Sequence, residues 1–191
     1  MVIVITGAIG IGKTTVCRKL IEIIRNHGYT CGGILTYKTA DEGIIVEDIQ
    51  TSEGEILASI NNVYNGPRTQ KYFFNPEGID FGIRAINKGE SSAILLIDEI
   101  GQLELRGEGF VKATELIKAS KVTDCILVIR NELLPAFLPQ LPTMPLVFET
   151  TINNRNQLPQ EISSVLLKSN SEGCSIENPD IHNLGFNSFL F

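Results

Sequence analysis

The chain has 191 residues, of which 43% are hydrophobic and 20% are charged, and its formal net charge is −6. This length and composition fit one ordinary α/β domain with a sizeable core and exclude a chain that is disordered throughout. The acidic balance argues against a nucleic-acid or anionic-membrane surface, since neither polyanion attracts a negatively charged protein. We expect a small-molecule partner, and we expect the protein to be a monomer.

The apolar N-terminus has no basic leader and is too short for a signal peptide, so we expect a cytoplasmic protein. The chain contains two histidines and four cysteines. Because the cysteines lie far apart, they support neither a zinc site nor a disulfide framework. We expect mostly buried, reduced thiols at Cys17, Cys31, Cys125 and Cys174.

The chain opens with a strand, a glycine-rich loop and a helix. Residues 2–5 form a β-branched run typical of a buried parallel strand, and residues 13–27 have the apolar spacing of a helix. The intervening loop matches G-x-x-x-x-G-K-[ST], a phosphate-binding motif. It reads Gly7-Ala8-Ile9-Gly10-Ile11-Gly12-Lys13-Thr14.

This motif predicts that the chain binds a nucleotide. Its glycines allow a tight turn that presents N–H groups to phosphate oxygens, and the helix N-terminus adds partial positive charge. We expect Lys13 to act on the β and γ phosphates and Thr14 to ligate Mg²⁺. Thr15 is a candidate for a further phosphate contact. A glycine-rich turn without a ligand is the alternative, which the strand–loop–helix order disfavours.

The next segments depart from simple β–α alternation. A second strand is predicted at residues 31–36. Over residues 37–60, short apolar runs are separated by turn signals, which favours antiparallel hairpins added to a parallel sheet. Residues 61–74 are predicted to form an exposed loop that leads to a strand at 72–74. Pro76 then marks the first turn of a helix over 76–87.

The second half returns to alternation, with predicted strands at 93–97, 125–129 and 146–150 and helices at 109–120 and 157–168. Four prolines between residues 133 and 145 predict a loop or a broken turn. We assign residues 1–168 to one P-loop NTPase domain. Residues 169–191 form a tail rich in Ser, Asn and Gly, whose Phe-rich end either docks or stays free.

The apolar run at 94–97 ends in two carboxylates, Asp98 and Glu99. Ligands of parallel α/β sheets bind beyond the carboxyl ends of the strands, so we expect Asp98 beside the phosphate loop, holding Mg²⁺ together with Thr14. Glu99 is a candidate for polarising the attacking water, with a purely structural role as the alternative. Gly101 and Gln102 follow in the same loop as candidates for contacting the nucleotide and orienting that water.

Phosphoryl transfer usually needs a further cation in the transition state, and arginine is the common choice. Arg130 follows a predicted strand and should emerge at the ligand side of the sheet. Arg68 lies in the loop before Tyr72. Either arginine could instead be a surface ion-pair residue.

Taken together, these motifs resemble the small nucleoside-triphosphatase family first described in thermophiles, which includes the cancer-related nucleoside-triphosphatase. The sequence of residues 97–105, I-D-E-I-G-Q-L-E-L, is similar to the family's I-D-E-I-G-K-M-E-L. The sequence of residues 151–158, T-I-N-N-R-N-Q-L, is similar to T-x-E-N-R-[DN]-x-L. Arg68 and Tyr72 fit a weaker R-x-G-x-Y element.

The resemblance implies a RecA-like P-loop fold with a mostly parallel sheet flanked by helices, to which the chain adds antiparallel hairpins. It implies slow, Mg²⁺-dependent hydrolysis of nucleoside triphosphates such as ATP and GTP, with broad base tolerance. It also suggests that Asn154 and Arg155 contact the base, for which a helix cap and a surface arginine are the alternatives.

The chain also departs from the family pattern. It has Ile9 where the family usually has Pro, Gln102 where it has Lys, and the sequence T-Y-K-T at 36–39 in place of a T-x-E-V-R-like element. Lys38 is a candidate to replace the lost arginine in part. We therefore identify a divergent member. A nucleotide or small-molecule kinase and a non-catalytic nucleotide-binding module remain the alternatives, since the same phosphate apparatus serves several functions.

Overall fold

The computed structural model describes residues 1–119 and 124–172. This part of the chain contains both strands and helices. The strands are β1 Val2–Thr6, β2 Cys31–Lys38, β3 Ile44–Asp48, β4 Gly54–Ser59, β5 Phe73–Phe74, β6 Ile94–Ile100, β7 Asp124–Ile129 and β8 Leu146–Glu149. The helices are α1 Lys13–Asn26, α2 Pro76–Gly89, α3 Gln102–Leu105, α4 Val111–Lys118, α5 Leu134–Phe137 and α6 Leu158–Glu172, with a 3₁₀ turn at Leu138–Gln140.

All of these strands join one sheet in the order β5-β4-β3-β2-β6-β7-β1-β8. Strands β2, β6, β7, β1 and β8 are parallel to one another. Strands β3, β4 and β5 continue the sheet beyond β2 in antiparallel pairings. The predicted combination of a mostly parallel sheet with an antiparallel hairpin addition is confirmed.

Side chains of the central strands alternate between two apolar layers, as the period of a β-strand requires. On one side of the sheet, Ile3 and Ile5 pack with apolar residues of α1 and α6. On the other side, Val4 packs with residues of α2 and α4. Helices therefore cover both sides of the sheet, so that its central strands are buried and their carboxyl ends lie at one edge.

The elements match the predicted ones with local differences at their ends. Strand β2 continues to Lys38, beyond the predicted 31–36, because Thr36, Tyr37 and Lys38 pair with β3. Helix α4 begins at Val111 rather than 109, since Gly109 has a left-handed backbone (φ +60°) that a helix cannot include. The proline-rich segment forms short α5 and the 3₁₀ turn, a broken turn as predicted.

Other predictions fall partly outside the described residues. The predicted end of the helix at Ser120, the position of Cys174 and most of the tail lie there. Cys17, Cys31 and Cys125 are buried free thiols, as expected. Within residues 1–119 and 124–172, no helix combines the length and apolar composition needed to cross a bilayer.

Candidate functional site

The loop between β1 and α1 has the conformation of a phosphate-binding loop. Gly10 and Gly12 have φ of +76° and +107°, values that side-chain-bearing residues rarely adopt. The buried Lys13 side chain folds back over the loop, and its Nζ donates hydrogen bonds to the carbonyl oxygens of Gly7 (2.9 Å) and Ala8 (3.0 Å). No side chain caps α1, so its first N–H groups remain available to phosphate oxygens.

Thr14 and Asp98 meet at the base of this loop. The Thr14 hydroxyl donates a hydrogen bond of 2.8 Å to Asp98 Oδ2 and lies 3.3 Å from the carbonyl oxygen of Thr36. Burial, and then repulsion from Glu99, raise the pKa of the Asp98 carboxyl to about 7. A cation at this position would favour the ionised carboxylate. The hydroxyl and carboxylate oxygens are hard donors of the kind that Mg²⁺ prefers, so the pair fits this ion.

Among the described residues, no group of three or more His, Cys, Asp or Glu could hold a metal. An ion on Thr14 and Asp98 would therefore take its other ligands from phosphate oxygens and water, which is usual for Mg²⁺.

Glu99 and Arg130 form a two-point ion pair at the ends of β6 and β7. Arg130 Nε lies 2.5 Å from Glu99 Oε1, and its Nη2 lies 3.2 Å from Oε2. This pairing raises the pKa of Arg130. Both side chains are partly exposed to the cavity beside the phosphate loop. The two residues predicted to activate water and to stabilise charge thus come together, and each orients the other.

Glu104 shapes the loop that follows β6. Its buried carboxylate accepts hydrogen bonds from the N–H groups of Gly101 (2.7 Å) and Phe110 (2.8 Å). Burial raises its pKa, and these N–H groups act in the opposite direction. Since the Gly101 N–H is engaged by Glu104, Gly101 serves as the cap of α3 in this conformation.

A single cavity of about 640 Å³ borders all of these groups. One end, which we call the phosphate end, is formed by the phosphate loop and the ends of β6 and β7. It contains Lys13, Thr14, Asp98, Glu99 and Arg130. The opposite part, the apolar end, is formed by β3, β4, β5, α2 and the α3–α4 region. It contains Ile44, Leu57, Phe74, Ile79, Leu103 and Phe110.

Three other predicted residues lie outside this cavity. Arg68 is exposed and contributes its carbonyl oxygen to a hydrogen bond with Arg106, so the structure does not bring it to the phosphate end. The Asn154 side chain closes a local turn by accepting from Thr151 N–H and donating to Glu149 O, both at 2.8 Å.

Arg155 lies beside the phosphate loop. Its Nη1 is 3.4 Å from the Ile11 carbonyl oxygen, and its side chain borders a second cavity of about 270 Å³. Gly12, Thr15, Lys19 and Asn156 also line this cavity. The two cavities share Gly12 of the phosphate loop.

The profile of a family described as NTPase matches residues 2–163. The chain belongs to this NTPase family. It is 33% identical to the nucleoside-triphosphatase THEP1 of Thermotoga maritima over 173 residues, which are 87% of this chain and 95% of that protein. It is 28% identical over 171 residues to the nucleoside-triphosphatase THEP1 of Methanopyrus kandleri, with the same coverage of both chains.

The crystal structure of THEP1 from the hyperthermophile Aquifex aeolicus resembles this fold with a TM-score of 0.65. The two chains are 22% identical, and the match covers 87% of this chain and 99% of the other. The predicted family and P-loop fold are therefore confirmed. At identities near 30%, this NTPase is a divergent relative of these proteins.

Several features of this NTPase's site were not identified from the sequence. The apolar end of the cavity is assembled from separated segments, so no local pattern indicates it. The role of Glu104 depends on Phe110, six residues away across a turn. Lys71 and Tyr72 line the cavity just before β5, which pairs with β4, and only the weak R-x-G-x-Y element drew attention to Tyr72.

Proposed function

We propose that this protein hydrolyses nucleoside triphosphates to diphosphates and phosphate, that the reaction needs Mg²⁺, and that it is slow and tolerant of the base. Membership of the NTPase family supports the coarser part of this proposal, nucleoside-triphosphatase activity. The observation that carries the finer part is the convergence of Lys13, the Thr14–Asp98 pair and Glu99 on one cavity.

Each of these groups has a defined task. The loop N–H groups bind the phosphates, while Lys13 exchanges its loop carbonyl partners for oxygens of the β and γ phosphates. Thr14 and Asp98 would hold Mg²⁺, which when bound neutralises charge on the β and γ phosphate oxygens.

Glu99 acts as the general base. Its carboxylate accepts a proton from the water that attacks the γ phosphorus, and the γ-phosphoryl group separates from the diphosphate. Arg130 holds this carboxylate by two contacts and brings a positive charge to the side of the cavity where negative charge develops. Arg68 lies outside the cavity, whereas Arg130 borders it, as does Lys38, the candidate to replace the lost arginine in part.

Base tolerance follows from the groups around Arg155. A guanidinium plane stacks on any base, because every base has a π face. The Asn154 amide, which could read a base edge, is engaged by the backbone of Glu149 and Thr151. Stacking without edge recognition favours breadth over selectivity.

The test is phosphate release from ATP, GTP, CTP and UTP, each measured with Mg²⁺ and with Mg²⁺ removed by a chelator. We expect release from all four substrates that stops on chelation. An Arg155→Ala variant should weaken all four to a similar degree, whereas Arg84→Ala, at an α2 position away from both cavities, should change none of them. Release that persists without divalent metal, or from one base alone, would contradict the proposal.

A further inference from the structure

The apolar end of the cavity is more hydrophobic than hydrolysis requires. A triphosphate held by residues 7–15 and an attacking water are both polar, and neither gains from an apolar wall. The cavity as a whole, at about 640 Å³, has the size and mixed lining of sites that bind organic molecules. Its apolar end is continuous with the phosphate end, so a molecule bound there would face the γ phosphate.

A weakly partnered buried hydroxyl marks this region. The Tyr72 side chain lines the cavity, and its hydroxyl has no hydrogen bond of normal length with any residue in the part of the chain that the structure describes, although the Lys71 ammonium lies close enough to interact with it. Leaving a buried polar group unpaired costs about 1–3 kcal/mol, so such groups call for an explanation. A ligand that offers one hydrogen-bonding group to Tyr72 supplies it.

Two charged groups near the apolar end are already satisfied. The Lys71 ammonium lies 2.8 Å from the Glu42 carboxylate, and Glu104 accepts hydrogen bonds from two backbone N–H groups. The side chains of Thr69, Gln70 and Gln102 add neutral polar groups to the lining. Lys38, at the end of β2, also borders the cavity, and the rest of this lining suits an uncharged molecule with an apolar ring and polar substituents.

We propose that the apolar end binds a small uncharged alcohol that carries an aromatic ring, and that its hydroxyl accepts the γ-phosphoryl group in place of water. This inference rests on the proposed function, because it uses the same nucleotide site. The apolar side chains hold the ring, Tyr72 binds a polar substituent, and the reacting hydroxyl lies toward Glu99.

The transfer is balanced without any further reactant. A bond forms between the alcohol oxygen and the γ phosphorus, and the bond between that phosphorus and the β–γ bridging oxygen breaks. Its electron pair leaves with the nucleoside diphosphate. The alcohol proton passes to the Glu99 carboxylate and then to solvent. The products are a phosphate monoester and a nucleoside diphosphate.

Two probes test the proposal on the full chain, 2-phenylethanol and uridine, each of which combines a ring with a free primary hydroxyl. Binding to the complex with Mg²⁺ and ADP is measured by calorimetry, and ³¹P NMR follows a reaction with Mg²⁺ and ATP, separating a phosphate monoester from inorganic phosphate. We expect saturable binding of at least one probe and formation of its phosphate ester.

The matched variants are Tyr72→Phe, which removes the weakly partnered hydroxyl, and Tyr64→Phe, which makes the same change outside the cavity. Tyr72→Phe should weaken binding of the probe about fivefold and reduce the ratio of ester to inorganic phosphate by a similar factor. Tyr64→Phe should leave both quantities as in the unmodified protein.

Failure of this proposal is distinguishable from failure of the proposed function. Phosphate release from ATP without binding of either probe would overturn the acceptor site and leave the hydrolase intact. Binding without ester would overturn the transfer step. Absence of phosphate release with no alcohol present would contradict the proposed function. Calorimetric binding of a probe to the complex with Mg²⁺ and ADP would still test the acceptor site by itself.

Discussion

The parallel and antiparallel parts of the sheet differ in both burial and chemistry. Strands β1, β6 and β7 are almost wholly buried between two helical layers, and their carboxyl ends carry the phosphate loop, Asp98, Glu99 and Arg130. In contrast, β4 has an exposed first half. Strands β3 to β5 contribute to the cavity chiefly the apolar residues Ile44, Leu57 and Phe74.

This difference separates two tasks. In our proposal, the parallel part binds phosphates through backbone geometry and a few fixed charges, which many P-loop proteins share. The antiparallel part contributes to the apolar end of the cavity and so affects what else fits there. Substitutions in the two parts should therefore have different consequences.

The largest effect on the fold should come from the parallel part. Gly33, in β2, has φ +104°, and a Cβ atom there would collide with the carbonyl oxygen of Leu96 in β6. We expect Gly33→Ala to cost more than about 4 kcal/mol or to prevent folding. Gly28→Ala is the control, since Gly28 also has positive φ but no neighbour within 4 Å, and it should cost about 1–2 kcal/mol. Similar unfolding temperatures for both variants would contradict this interpretation.

The largest effect on ligand binding should also lie in the parallel part. Lys13→Ala removes the buried ammonium group that reaches the loop carbonyls and, in our proposal, the phosphates. We expect the affinity for Mg²⁺ and ATP to decrease at least about 100-fold, as loss of a desolvated charge contact implies. Titration with a fluorescent nucleotide measures this, with Lys88→Ala, in the last turn of α2, as the control. An unchanged affinity of Lys13→Ala would remove this lysine from the site.

In contrast to these losses, we expect removal of the Asp98 charge to increase the stability of the protein. Its folded-state pKa of about 7 lies above the value near 4 of an unfolded chain, so stability of the metal-free protein is lost progressively as the pH rises from about 4 to 7, and the loss is complete above pH 7. Asp98→Asn should therefore stabilise the metal-free protein at pH 8 by about 3–4 kcal/mol, and the gain should shrink as the pH falls from 7 toward 4. Thermal unfolding with a chelator present measures it.

The control for this prediction lies in the antiparallel part. Asp48 is also buried and accepts a hydrogen bond of 2.8 Å from the backbone N–H of Gln50, whereas Asp98 lies beside a second carboxylate, Glu99, that repels its negative charge. Asp48→Asn should give no gain at pH 8. A gain that is the same in both variants, or independent of pH at Asp98, would contradict the assigned difference between the two carboxylates.

The smallest effect should come from the helix cap that joins the antiparallel part to α2. The Asn75 side chain accepts a hydrogen bond from Glu77 N–H and donates one to the Ile56 carbonyl oxygen. Asn75→Ala should cost about 1–2 kcal/mol of unfolding free energy and leave nucleotide affinity unchanged. Chemical denaturation and nucleotide titration of the same sample check both statements. A large loss of nucleotide affinity would show that the antiparallel part of the sheet also contributes to nucleotide binding.

The sequence predicted the parallel part well for a physical reason. The phosphate loop is a local backbone structure, so its residues are contiguous, and Asp98 and Glu99 lie near the carboxyl end of a buried strand that has a fixed place in the sheet. Arg130 follows β7, and the rule that ligands bind beyond the carboxyl ends of parallel strands predicted its position as well. Predictions were weaker where position depends on pairing between distant segments.

Arg68 and the cavity wall illustrate this limit. Arg68 precedes β5 by a few residues, and its direction depends on the turn that pairs it with Phe73. The apolar end combines side chains of five elements and of the α3–α4 loop, each of which looks in sequence like an ordinary core residue. The Glu99–Arg130 pair likewise depends on the neighbouring positions of β6 and β7, which the sequence does not state.

The most direct test of the account compares phosphate release and nucleotide affinity in the unmodified protein and in Glu99→Gln, with Mg²⁺ and ATP and no alcohol present. If Glu99 is the general base, phosphate release should decrease at least about 100-fold while affinity for the nucleotide changes little. Unchanged turnover in a variant that binds ATP normally would remove Glu99 from the mechanism and contradict the proposed reaction.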